Sequence, residues 1–170
     1  MFVLGVDPGL SRCGYCVLDG SAGRAGGRAT GRASAVALGV LRTDPALAVP
    51  ERLAALQADV RGLLAEFPPA AVALERVTFG ANVRTASGVL QAAGIVMCEA
   101  ITAGADVVEY APNQVKEAVT GWGRAPKAQV GQMAATLLGL TEIPGPADAA
   151  DAAAIALCHL AMAPVGRLAG

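Results

Sequence analysis

Four acidic residues, Asp7, Glu75, Asp148 and Asp151, stand inside or at the lip of otherwise apolar segments. Burying a carboxylate without a partner is costly, so a set like this usually exists to hold divalent metal through hard oxygen donors. Asp7 ends the run Met1 to Val6, Glu75 ends Ala70 to Leu74, and Asp148 and Asp151 open the apolar stretch Ala152 to Ala163. Paired divalent cations suit in-line displacement at phosphorus, because one activates a water while the other stabilises the departing oxygen. Other nucleophiles and ligands are scarce. The single histidine, His159, lies in an apolar helical stretch, where a satisfied core or helix-end histidine is commoner than a metal ligand.

The elements that must position these groups can be read from periodicity and breakers. Met1 to Val6 ends at Asp7-Pro8-Gly9, where proline and glycine turn the chain, and Gly14 to Leu18 and Val36 to Leu41 are further short strands. Between the last two, Gly20 to Ser34 is rich in Gly, Ala and Arg, which predicts a mobile hairpin loop without assigned chemistry. From Pro50 the apolar positions Leu53, Leu56, Val60, Leu63 and Leu64 fall at helical spacing, ending near Phe67-Pro68-Pro69. Ala70 to Leu74 is a buried strand. A helix capped by Asn82 runs to about Ala103, and its small residues Ala86, Ala93 and Gly94 permit close packing. Asp106 to Tyr110 is a last strand, followed by helices from Pro112 to near Gly121, Pro126 to Leu138 and Ala147 to Met162.

Three hairpin-linked strands followed by crossover units give an α/β fold with a mixed sheet, in which the first strand runs parallel to the fourth. Asp7 and Glu75 then sit at the carboxyl ends of those strands, the rim where open α/β sheets place their sites. Asp148 and Asp151, three residues apart at a helix start, share a face, and the last helix need only pack against that rim to complete a cluster.

Size and composition suit one domain over residues 1–165 with a short tail at 166–170. Uncharged stretches are too short for a membrane span, and a strand-like start without a basic leader predicts no secretory signal, hence a cytoplasmic protein. Cys13, Cys16, Cys98 and Cys158 lie in apolar segments, as reduced thiols do. Cys13-x-x-Cys16 lacks a second pair, and on a strand its members face opposite sides, which argues against zinc. The net charge of −1 argues against a nucleic-acid partner, but two divalent cations would take the working charge to about +3. Arg76, Arg84, Lys116, Arg124 and Lys127 offer a basic rim or simply a solvated surface.

At these residues the sequence resembles the RuvC-type Holliday junction resolvases of the ribonuclease H-like nuclease superfamily. The resemblance spans nearly the whole chain. It is carried by Leu4-Gly-Val-Asp-Pro-Gly-Leu10 with Gly14-Tyr15, Leu74-Glu-Arg-Val77, Tyr110-Ala-Pro-Asn-Gln-Val-Lys116, Lys127-Ala-Gln-Val130, and Asp148-Ala-Ala-Asp-Ala152 through His159. It implies a ribonuclease H-like five-stranded sheet of order 3-2-1-4-5 flanked by helices, and a structure-selective endonuclease acting in recombination and repair. Asp7 is then the bridging ligand of a two-magnesium site completed by Glu75, Asp148 and Asp151, with manganese as a substitute. Lys116 and Lys127 meet phosphates, and Arg76 and Arg84 join them as DNA-binding residues. The family places an aromatic wedge just after its second acidic motif, whereas Thr78 stands there in this chain and Phe79 follows. Phe79 then either stacks on a base or packs on the sheet. The resemblance further implies a homodimer through the helix Val83 to Ala103, symmetric cuts leaving 5′-phosphate and 3′-hydroxyl ends, and a branch-migration helicase complex of the RuvA and RuvB type as partner.

Two other readings compete. An actin-like kinase or ATPase also begins with a strand and Asp-x-Gly but needs a second such domain. A non-catalytic junction-binding module would leave four clustered anions repelling one another and the DNA backbone.

Overall fold

The computed structural model describes residues 1–20, 24–25, 28–29, 33–77 and 83–163. Its sheet is formed by β1 (Phe2–Asp7), β2 (Arg12–Asp19), β3 (Ser34–Arg42), β4 (Pro69–Glu75) and β5 (Asp106–Tyr110) in the order β3-β2-β1-β4-β5. That is the mixed 3-2-1-4-5 sheet expected. β1 is antiparallel to β2 and parallel to β4, and β4 is parallel to β5. A short antiparallel pairing of Arg24–Ala25 with Arg28–Ala29 occupies part of the Gly20 to Ser34 segment, most of which lies outside the described residues.

Among the described residues five helices cover the sheet: α1 (Val49–Glu66), α2 (Val83–Thr102), α3 (Pro112–Thr120), α4 (Lys127–Leu138) and α5 (Ala147–Met162). α1 and α3 each begin with proline in the first turn, where a missing N–H costs nothing, and α3 ends at Gly121 with φ +76°. Asn82, expected to cap α2, lies outside the described residues, as does the expected boundary near residue 165.

Strand periodicity sorts the side chains into two layers. Leu4, Val6, Val72 and Leu74 join Leu56, Val60 and Leu64 of α1 and Ala92, Val96 and Ala100 of α2 on one face. Between these helices Glu99 is enclosed, accepting from Arg61 Nε and Nη2 and from Gln57 Nε2. Val3, Cys16 and Leu18 pack on the other face with Ala152, Ala153 and Ala156 of α5, and Ala73 packs there with Ala154 and Ile155. Cys13 belongs to the first layer and Cys16 to the second, so the two thiols are on opposite faces.

α5 lies almost against the backbone of β1 and β2. A Cβ on Gly5 would stand 2.3 Å from the Ala152 carbonyl oxygen and 2.6 Å from Ala156 N, and one on Gly14 would stand 2.1 Å from the Asp148 carbonyl oxygen. The alanine-rich face of α5 and the two strand glycines therefore fit only each other. Because the obstructing atoms are backbone, Gly5→Ala should cost about 1–3 kcal/mol in urea unfolding. Gly62→Ala, on a helix surface with open space around it, should be neutral or stabilising. Equal effects of the two substitutions would contradict this packing.

Candidate active site

The alternation that puts Leu4 and Val6 under α1 and α2 puts Val3, Gly5 and Asp7 on the α5 side. Ala73 and Glu75 share that side on β4, one strand over, where Gly5 pairs with Ala73 and Val6 with Leu74. Asp7 pairs across β1 and β2 with Gly14, the residue on which the Asp148 backbone rests. Asp148 lies in the first turn of α5, and Asp151 follows one turn on.

Two adjoining depressions result, and Asp7 lines both. Glu75, Asp151, Lys116, Lys127 and Pro112 line one with it, and Asp148, Ser11, Arg12 and Arg52 line the other. The structure thus places Asp7, Glu75, Asp151, Lys116 and Lys127 around one depression and Asp148 in the adjoining one that Asp7 also lines. Arg76 is exposed at the end of β4, and its backbone N–H extends the ladder to the Tyr110 carbonyl at 2.7 Å. The side chain of Arg84, together with Thr78 and Phe79, lies outside what is described.

Electrostatics marks the same centre. Burial pushes the Asp7 carboxyl up to about 7, with repulsion from Asp151, Glu75 and Asp148 adding to it and Lys127 opposing it. Glu75 is raised by burial and by Asp151, and lowered by Lys127 and Lys116. In this conformation Lys127 Nζ is ion-paired and hydrogen-bonded to Asp151, and Arg12 Nε is 3.4 Å from Asp148 Oδ2.

All four acidic residues are hard oxygen donors, and their mutual repulsion is what a divalent cation relieves, so the residue types fit magnesium or manganese. Among the described residues no three acidic, histidine or cysteine groups form a ready-made cation cage, and in this conformation Asp148 and Asp151 are engaged with Arg12 and Lys127. Softer ligands are committed elsewhere. Burial pushes the Cys13 and Cys16 thiols up to about 12, and buried His159 is hydrogen-bonded through Nδ1 to the Tyr110 hydroxyl at 2.9 Å.

A model of the crossover junction endodeoxyribonuclease RuvC family matches residues 3–159. The chain belongs to that family. A RuvC of Parafrankia sp. is 51% identical over 160 residues, covering 94% of this chain and 86% of the relative. A Thermus thermophilus RuvC structure superposes with a TM-score of 0.85 at 37% identity, covering 98% of this chain and 97% of that one. A second T. thermophilus RuvC, solved in complex with Holliday junction substrate, matches at TM-score 0.81 and 35% identity over 96% of this chain and 94% of that one. The RuvC fold is ribonuclease H-like, and this chain has it.

Sequence reasoning passed over Arg12 and Arg52, which line the second depression, and Trp122, an exposed aromatic on the turn between α3 and α4. Arg12 had a readable signal in its position five residues beyond Asp7. Arg52 did not, because only the fold brings α1 to the β1–β2 turn.

The raised Asp7 carboxyl makes stability depend on pH. Its folded pKa exceeds the unfolded value, so the folded state holds a proton that the unfolded state releases, and stability falls as pH rises from about 4 to about 7. In EDTA, Asp7→Asn should therefore stabilise the protein at pH 8 by on the order of 2–4 kcal/mol, the gain vanishing near pH 4. Denaturant titrations at both values check it; a gain independent of pH, or a loss, would contradict the assigned electrostatics.

Proposed function

We propose that this chain is a magnesium-dependent, structure-selective endonuclease that resolves four-way Holliday junctions in recombination and repair. The observation that carries the reading is the position of Asp7 between two depressions, with Glu75 and Asp151 in one and Asp148 in the other. Asp7 is suited to bridge two cations, with Glu75, Asp148 and Asp151 as the remaining ligands. When bound, the cations supply an activated water and stabilisation of the departing 3′ oxygen, which leaves 5′-phosphate and 3′-hydroxyl ends.

The protein's own groups hold and orient the strand. Lys116 and Lys127 act as compact charges toward phosphates beside the carboxylates, while Arg76 and Arg84 extend the contact along the backbone. Phe79 is assigned to stacking at the branch point. Magnesium is the cofactor, and manganese substitutes. The same reading makes the protein cytoplasmic and the partner of a branch-migration helicase complex of the RuvA and RuvB type. No helix among the described residues is long and apolar enough to cross a membrane.

A four-way junction has pseudo-two-fold symmetry, so opposed cuts call for a homodimer. Supporting this, α2 leaves Leu90, Gly94, Cys98 and Ile101 exposed at helical spacing, and Gly94 has nothing within 4 Å of where a Cβ would stand. Gly94→Arg should convert a dimer to a monomer in sedimentation equilibrium without unfolding it. A wild-type monomer at working concentrations, or a dimeric Gly94→Arg protein, would contradict that interface.

The cleavage assay is direct. A synthetic four-way junction should be cut symmetrically with magnesium or manganese, spared in EDTA, and preferred over linear duplex of the same sequence. Asp7→Asn should lower the rate roughly a thousandfold or more while junction binding persists. Equal cutting in EDTA, or a variant that cuts at the wild-type rate, would overturn the reading.

A further inference from the structure

The depression lined by Asp7, Asp148, Ser11, Arg12 and Arg52 shares Asp7, and no other lining residue, with the one that Lys116 and Lys127 line. The geometry points to this second flank as a binding subsite for a backbone phosphate of the substrate strand, with Arg12 and Arg52 as its ligating cations and Ser11 as a hydrogen-bonding neighbour. The inference rests on the nuclease reading above and adds to it the path of the strand. The nucleic acid crosses the acidic centre between two basic walls, lysines on one side and arginines on the other.

Three observations carry it. First, the wall is braced. Arg52 Nε donates to Thr43 Oγ1 at 2.9 Å, Arg52 Nη2 donates to Ser11 Oγ at 2.6 Å, and the buried Thr43 hydroxyl donates in turn to the Leu10 carbonyl oxygen. These bonds tie the β1–β2 turn to α1 and to the residue just after β3, so the guanidinium is held in place before any ligand arrives. A guanidinium carries five N–H donors, and this bracing spends two of them.

Second, like charge is set against like charge at this edge of the sheet. Arg12 stands directly across the β2–β3 ladder from Arg42, and both residues are exposed. Like charges in directly opposed positions destabilise a strand pair, and an anion between or beside them reverses that cost. Third, Arg12 is readily released. Its contact with Asp148 is long at 3.4 Å, and the Arg12 side chain is 56% exposed, so the ion pair contributes little and a phosphate can take its place. Arginine also suits the task better than lysine, because its planar fork can bind two phosphate oxygens at once.

Each neutralised phosphate releases counterions, so the number of contacts is read from the salt dependence of binding. A fluorescent four-way junction is titrated with full-length protein in calcium instead of magnesium, over a series of salt concentrations. Arg12→Gln should weaken binding several-fold and lower the slope of log K against log salt by about 1, and Arg12→Lys should keep the slope. Arg52→Gln should lower it again in the double variant, with thermal melts showing that both proteins remain folded. If Arg52→Gln fails to fold, Arg12→Gln and its lysine rescue decide the matter alone. Wild-type binding together with an unchanged slope in Arg12→Gln would overturn the arginine wall and leave the nuclease reading standing. A wild-type protein that does not bind the junction would overturn both.

Discussion

The close approach of α5 to the sheet is the constraint on which the site depends. Two of the four acidic residues come from strand ends whose positions are set by the β1–β4 ladder, and the other two ride on a helix that contacts those strands through glycine and alanine. With side chains at positions 5 and 14, the helix start would be lifted from the rim and Asp148 would leave the neighbourhood of Asp7. Small residues are usually read as permissive. Here they set a distance, because backbone meeting backbone leaves no soft side chain to absorb an error.

That convergence is opposed by electrostatics and upheld by packing. Repulsion among Asp7, Glu75 and Asp151, in a position withdrawn from water, works against the folded state, and the apolar layers above and below the sheet supply the offsetting stability. The basic groups next to the carboxylates temper the repulsion, Lys127 at Asp151 and Arg12 at Asp148. These contacts are exposed enough on the basic side to exchange. Functional sites commonly trade stability in this way.

Much of this was legible in the sequence. The short apolar runs Met1 to Val6 and Ala70 to Leu74 implied strands ending in carboxylates, and breakers such as Pro112, Gly121 and Pro126 bounded the helices nearly where they fall. The parallel orientation of β1 and β4 followed from connection rules, and their adjacency from the sheet order that the family resemblance implied. What could not be read was the contact between distant segments. Nothing local in Gly14 says that Asp148 rests on it, nothing in Arg52 says that it reaches Ser11, and nothing in His159 says that its ring nitrogen meets Tyr110. Gly94, read as a residue for close packing, has no such contact within the protomer and faces outward from α2. In each case the missing information was which surfaces meet, a property of the fold as a whole.

The central claim is that carboxylates from three separated stretches act as one cation-binding centre. Isothermal titration calorimetry with manganese tests it most directly, on wild type and on Asp7→Asn, each with and without a non-cleavable four-way junction. The account predicts two cations per protomer in the wild-type complex and loss of paired binding when Asp7 becomes neutral. Absence of any uptake by the wild-type protein with the junction present, or identical uptake in Asp7→Asn, would contradict it.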